Sequence, residues 1–288
     1  MCVDETMIGE TFFTIISNRI TGKLAFMAES TKSSELSDVC LPIKEEFKKV
    51  KIINRDLANS YRKFSNIVMP NAKQVVDNFH VIKLLFDGSQ SVRMSLKRKI
   101  ETEKRKAFES FKNKESKRKK TCEKKGLKYK RKKYISKEKI LINGETASEI
   151  LSRSRFLLYK FRDQWTDKQR DRANVLFAEY PKLEKAYDLT NEFRNWFSKK
   201  NIGKKESLLK TELKTWYKNI DESEINDLKN FKSTVERNQE YILNYFSNNG
   251  ASNSMAENRN SKIKKFINSN QGTRDRDFFF FRLKIYFA

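Results

Sequence analysis

The sequence predicts an α/β protein whose strands come first and whose helices follow. Three observations carry this. The first 80 positions hold short, β-rich apolar runs separated by turn residues. From Phe79 on, the apolar spacing turns helical and stays so for most of the chain. Hydrophobic residues make up 38 % of the chain, with 22 Phe, enough to fill a core.

The elements follow in order. A short strand holds Asp4 in Cys2-Val3-Asp4-Glu5-Thr6. Thr11 to Ile16 and Lys23 to Ala28 are two more strands, split by a turn-rich stretch with Asn18 and Gly22, so the three form an antiparallel meander. Residues 32–48 read as helical, with Ser33 or Ser34 capping the start and Pro42 interrupting the middle. Val50 to Asn54 reads as a buried strand that ends at Asp56. Residues 58–69 read as a helix that stops before Pro70, because a residue preceding proline is pushed out of the helical region. Lys73 to Val76 is a further strand, ending at Asp77.

The resulting order, three strands, helix, strand, helix, strand, matches the first half of a ribonuclease H-like core with a mixed sheet. In that layout the carboxylates on the first and fourth strands lie side by side. A final helix must return to cover the sheet, and Glu257 to Phe266 is the candidate. The predicted organisation is therefore a first core half over 1–88, an all-helical insertion over 89–245, and a C-terminal helical part of the core over 246–288.

Within the insertion, residues 97–140 hold 21 Lys and Arg against 6 Glu, a net +15 of the chain's +25. Few apolar residues accompany them, so the segment reads as a frayed helix or a disordered basic loop, either a solvated spacer or a phosphate-contacting arm. Trp165, Trp196 and Trp216 occupy apolar positions of amphipathic helices and are expected in the core.

Composition narrows the chemistry. A formal charge of +25 favours a polyanionic partner, because Lys and Arg neutralise phosphates and release counterions. Three unpaired-looking cysteines, Cys2, Cys40 and Cys122, and a single histidine exclude a structural zinc site and a disulfide framework, which suits a reducing cytoplasm. Met1 leads directly into Asp4 and Glu5 with no secretory signal, and the apolar runs are too short to span a membrane. Phe278 to Phe281 is expected to pack rather than anchor.

Four blocks in sequence resemble one family: Val3-Asp4-Glu5-Thr6; Asp56-Leu57-Ala58 with Pro70-Asn71-Ala72; Asp77-Asn78-Phe79-His80; and Ile242-Leu243-Asn244-Tyr245-Phe246 through Ala256-Glu257, Asn260 and Lys262-Ile263-Lys264. A helical block, Asn143-Gly144-Glu145-Thr146 with Arg153-Ser154-Arg155-Phe156, agrees. Together they resemble the DDE transposases of bacterial insertion sequences, in the ISL-three group and its ISAon-one-like subgroup. The resemblance implies a catalytic and metal-binding triad of Asp4, Asp56 and Glu257, with Asp77, His80 and Asn260 in support and Lys262, Lys264 and Lys265 on DNA. It implies two Mg²⁺ ions, with Mn²⁺ as a substitute, and as partners element-end and target DNA, a homo-oligomer on DNA, and an N-terminal DNA-binding region supplied by a separate or fused reading frame. The setting it implies is the bacterial nucleoid. Arg55 before Asp56 and Asn258-Arg259 after Glu257 depart from the family pattern. A truncated, inactive remnant that only binds DNA, and a nuclease that does not join strands, are the rival expectations.

The chemistry suits these residue types. Breaking a phosphodiester needs a strong oxygen nucleophile and relief of negative charge on the leaving oxygen, and carboxylate-held divalent ions provide both. Mg²⁺ takes oxygen ligands and keeps several waters, so a few carboxylates suffice.

Overall fold

The computed structural model describes residues 1–8, 10–250, 258, 261–266 and 275–287. These residues form a mixed α/β protein that falls into two compact units. The first comprises Met1–Leu84, Arg194–Thr215 and Lys232–Ala288; the second comprises Leu85–Phe193 and Trp216–Phe231.

The first unit is built on a five-stranded sheet. Its strands are β1 (Cys2–Ile8), β2 (Thr11–Ser17), β3 (Leu24–Ala28), β4 (Ile52–Arg55) and β5 (Lys73–Val76), in the spatial order β3-β2-β1-β4-β5. β1 and β2 pair antiparallel from Cys2 opposite Ser17 to Ile8 opposite Thr11, and β2 pairs antiparallel with β3, so the expected meander is present. Gly22 closes the β2–β3 turn with φ of +68°, a conformation that costs glycine little, and its N–H donates to the Asn18 carbonyl at 2.8 Å. β4 lies parallel to β1 and to β5. This mixed pattern is compatible with the ribonuclease H-like arrangement that the element order predicts.

Alternation along β2 decides which residues face which layer. Ile16 joins Val3, Ile53, Leu36, Phe64 and Val68 in one core cluster. Ile15, one residue earlier and so on the opposite face, joins Ile263 and Leu283 in a second. The first cluster is supplied by α1 (Ser33–Val39), α2 (Lys44–Lys48) and α3 (Asn59–Val68). The second is supplied by two helices near the C-terminal end of the described residues, α11 (residues 261–266) and α12 (Arg276–Phe287), with the Phe280 ring 6.0 Å from that of Phe13. Each fully buried aliphatic or aromatic side chain here contributes about 1.5–3 kcal/mol. Residues 261–266 and α12 thus pack on the sheet face that carries Ile15, while Glu257, the predicted start of the covering helix, lies outside the described residues. Phe279 and Phe280 pack against that face, whereas Phe278 and Phe281 are exposed, and among the described residues no helix is long and apolar enough to cross a membrane.

One local expectation needs correction. Neither Ser33 nor Ser34 caps α1: Lys32 occupies that position and makes no side-chain cap bond. Ser30 does the local work, accepting from the Lys32 N–H at 3.0 Å and donating to Glu35 at 2.6 Å, because its hydroxyl lies before the turn. Pro42 does interrupt the helix, forcing a short 3₁₀ turn at Leu41–Ile43 between α1 and α2. Likewise α3 ends at Val68, two residues before Pro70.

Helices make up most of what remains: α4 (Asn78–Lys124), α5 (Ala147–Arg153), α6 (Asp167–Glu179), α7 (Pro181–Trp196), α8 (Glu206–Glu222), α9 (Asn226–Arg237) and α10 (Gln239–Ser247). All three tryptophans are buried, each with its indole N–H donated to a backbone carbonyl: Trp165 to Leu157, Trp196 to Leu209 and Trp216 to Leu189. Residues 97–124 are one continuous helix with α4, neither frayed nor a disordered loop. The cause is a return segment, residues 127–139, that folds back on it through Tyr134, whose ring lies 5.1 Å from Phe108 and 5.3 Å from Phe111.

In the first unit, α10 lies against β5, the last strand of the sheet. The Asn244 amide donates to the Gln74 carbonyl at 2.8 Å.

Candidate active site

Three acids lie on or just after three neighbouring strands: Asp4 is the third residue of β1, which runs on to Ile8 beyond the short strand the sequence predicts, while Asp56 and Asp77 directly follow β4 and β5. Parallel pairing sets them in a row. Cys2 is opposite Asn54, and the Asn54 N–H donates to the Met1 carbonyl at 2.9 Å, so two residues further along each strand Asp4 meets the position of Asp56. Arg55 is opposite Val76, so the next step brings Asp56 beside Asp77, whose N–H donates to the Arg55 carbonyl at 2.7 Å. Parallel strands place residues at the same register on the same side, which is why acids 52 and 73 residues away in sequence from Asp4 become neighbours.

The electrostatics follow from this proximity. Burial pushes the Asp4 carboxyl up to about 6, and the charges of Asp56 and Asp77 add to the rise. The Glu5 N–H, donated to Asp4 Oδ1 at 2.8 Å, and the His80 ring pull it partway back. Asp56 is half-buried and accepts the Ala58 N–H at 2.7 Å, an Asx turn that fixes its carboxylate at the start of α3. Asp77 is fully buried and lies 3.2 Å from His80 Nδ1 one helical turn on. That hydrogen bond raises the His80 pKa above the ordinary histidine value, with Asp56 and Asp4 contributing.

Arg55 is also part of this neighbourhood. Its side chain is wholly buried, on the same face of β4 as Ile53. Nε donates to Gln74 Oε1 at 2.6 Å, Nη1 donates to the Asp56 carbonyl at 2.7 Å, and the guanidinium stacks 4.7 Å from the Tyr241 ring centroid. Gln74 in turn donates to Asn66 on α3 at 2.5 Å. Nη2 has no hydrogen-bond partner among the described residues, and burial pulls the Arg55 pKa down to about 10. On the other side of the row Tyr61 shares a hydrogen bond with Thr14 Oγ1 at 3.1 Å and donates to Glu5 at 3.4 Å.

Of the predicted site residues, the structure brings together Asp4, Asp56, Asp77 and His80. Lys262, Lys264 and Lys265 are exposed on α11, while Ile263 between them is buried. Glu257 and Asn260 lie outside the described residues. Among the described residues, no group of three or more His, Cys, Asp or Glu side chains is placed to hold a metal ion. Sequence reading marks Arg55 only as a departure from a family pattern and passes over Gln74, Tyr61 and Tyr241. The inward alternation of Ile53 and Arg55 is the available signal for Arg55.

A family model described as Transposase, of the ISL-three group, matches residues 1–283, nearly the whole chain. The chain belongs to the ISL-three group of DDE transposases. No curated protein and no solved structure matches it. For a transposase of this group the partner is DNA, which agrees with a chain carrying +25.

Proposed function

We propose that this chain is the catalytic domain of its transposase: a ribonuclease H-like core, interrupted by the helical insertion over 89–245, that cuts phosphodiester bonds at insertion-sequence ends and transfers the freed strand to target DNA. The observation that carries the reading is the parallel pairing of β1 with β4, Cys2 opposite Asn54, which runs Asp4 toward the position of Asp56 just after β4. Family membership supplies the reaction class.

In this reading Asp4, Asp56 and Glu257 hold divalent ions. The donor set fits: it is all carboxylate oxygen, the preference of Mg²⁺ and Mn²⁺. The raised Asp4 carboxyl fits too, since its crowding by burial and by neighbouring acids is the penalty a cation beside it would relieve. Bound ions would supply an activated water or 3′-hydroxyl oxygen and charge relief on the leaving oxygen. The protein's own residues do the rest. The Asx turn at Ala58 fixes the direction of Asp56. Asp77 orients His80, and both bias the charge on Asp4. Asn260 orients Glu257 or the DNA, and Lys262, Lys264 and Lys265 contact phosphates next to the cut. A homo-oligomer on DNA at the bacterial nucleoid, and an N-terminal end-recognition region encoded in the same or a separate frame, complete the proposal.

The test is a strand-transfer assay with precut element-end DNA, a supercoiled target and Mg²⁺ or Mn²⁺. Joined product should be lost in Glu257→Gln and Asp56→Asn while DNA binding persists. Nicked target without joined product would assign a plain nuclease instead. Equal loss of binding and joining would sink the metal-site assignment.

A further inference from the structure

Residues 97–139 form a basic arm in the second unit, and its two faces differ. One face of α4 receives the return segment. Lys104 pairs with Glu138 at 2.5 Å, Phe108 and Phe111 flank Tyr134, Glu115 accepts from the Tyr129 hydroxyl at 2.9 Å and from the Lys132 N–H at 3.0 Å, and Arg118 donates to the Lys130 carbonyl. The spacing of those α4 residues, four and three apart, is one helical face. At 3.6 residues per turn, Lys99, Lys106, Lys117, Lys120 and Lys124 fall within about 60° of arc on the opposite face. All five are exposed, none takes part in an ion pair among the described residues, and the other residues of that arc are Thr102 and Asn113, so it carries neither an acid nor an apolar side chain.

We infer that this lysine face is a docking surface for the phosphate backbone of duplex DNA, separate in sequence from the catalytic residues. The inference rests on the DNA reading above and names the surface that serves it. Three features select a duplex. The stripe runs about 37 Å along a continuous helix, close to the roughly 35 Å of one duplex turn, so it can follow one duplex over that length. The arm's aromatic rings are engaged with one another, so they are not a platform on which unpaired bases stack. The absence of an apolar side chain on the lysine face removes the usual means of entering a lipid surface. The arm's charge points the same way: held in water, a net +15 over residues 97–140 repels itself, and phosphates relieve that repulsion.

The experiment uses the full chain and a duplex of about 30 base pairs, with affinity read by fluorescence anisotropy over a salt series. Replacing the five lysines by glutamine (Lys99→Gln, Lys106→Gln, Lys117→Gln, Lys120→Gln, Lys124→Gln) keeps helix propensity and removes charge. The slope of log affinity against log salt should shallow by up to about 4.5, near 0.9 for each phosphate no longer neutralised, and affinity should fall by about tenfold or more. The matching five-arginine variant should keep the wild-type slope. An unchanged slope in the glutamine variant overturns the inference, as does tighter binding to single-stranded RNA or to anionic lipid vesicles than to the duplex. A second measurement does not depend on the variants folding: duplex DNA should protect the five lysines of the wild-type chain from acetylation, read by mass spectrometry, and full reactivity of all five would also overturn it. Asp56→Asn separates this inference from the catalytic reading. It should lose strand transfer and keep the salt slope, so failure of the arm leaves catalysis standing and failure of catalysis leaves the arm standing.

Discussion

The acid row and the basic arm are built on opposite terms. The acid row is made by long-range pairing: β1 and the residues just after β4 and β5, brought together by register, hold charged groups in or near a core where each is expensive. The arm is made by local structure: one long helix and a short return segment, with little burial and almost every charge in water. The first is precise and intolerant of change. The second is tolerant in any one residue, and its effect comes from the sum.

That contrast sets the order of the predictions. The largest effect belongs to the acid row. Asp4→Asn or Asp56→Asn should lower strand transfer by about a thousandfold, roughly 4 kcal/mol of barrier, with DNA affinity within a factor of about two; a loss smaller than tenfold in both would break the assignment of these acids. Next comes Arg55→Ala. It leaves the Gln74 side chain and the Asp56 carbonyl without their donor and opens a cavity beside Tyr241, so it should cost about 3 kcal/mol in urea unfolding. A cost under about 1 kcal/mol would mean that the buried guanidinium is not holding the strand end.

His80→Gln should be smaller and dependent on pH. The folded-state pKa of His80 is raised, so its contribution is fully present below the unfolded value near 6.5 and is lost as pH rises through the folded value. The stability gap between wild type and variant should therefore be about 1 kcal/mol in mildly acidic buffer and close in alkaline buffer. A gap that widens with pH would contradict the Asp77–His80 bond. The smallest effect belongs to the arm. Tyr134→Ala should change global unfolding by less than about 0.5 kcal/mol, yet speed proteolytic cleavage within residues 127–139, since only local opening is involved. A large global loss would show that the arm is part of the core and the comparison false.

The same contrast explains how much of the molecule is legible in its sequence. The strand and helix order of the first 80 residues is legible because each element is bounded by a local signal: Asn18 and Gly22 at one turn, Pro42 inside a helix, Pro70 after another. Once the order is known, the neighbouring of Asp4 and Asp56 follows from parallel pairing. The burial of Arg55 is not legible in the same way, because its partners Gln74 and Tyr241 come from other elements and a charged residue in a strand more often faces water. Nor is the continuity of α4 beyond residue 97. Composition there says only that little surface can be buried, while the return segment that steadies the helix is a non-local arrangement. Whether Glu257 completes the row rests on family resemblance, since it lies outside the described residues.

The Asn244–Gln74 bond has a consequence in time. β5 is the last strand of the sheet, and the group that occupies its outward carbonyl is supplied 170 residues later. At roughly 5–20 residues per second, a ribosome that has finished β5 needs on the order of 10–30 s to reach α10. Throughout that interval the growing chain carries an unsealed sheet edge, open to pairing with a neighbouring nascent copy. Synthesis of this protein is therefore most exposed to aggregation until α10 is made, and crowding of ribosomes on one message should lower its soluble yield.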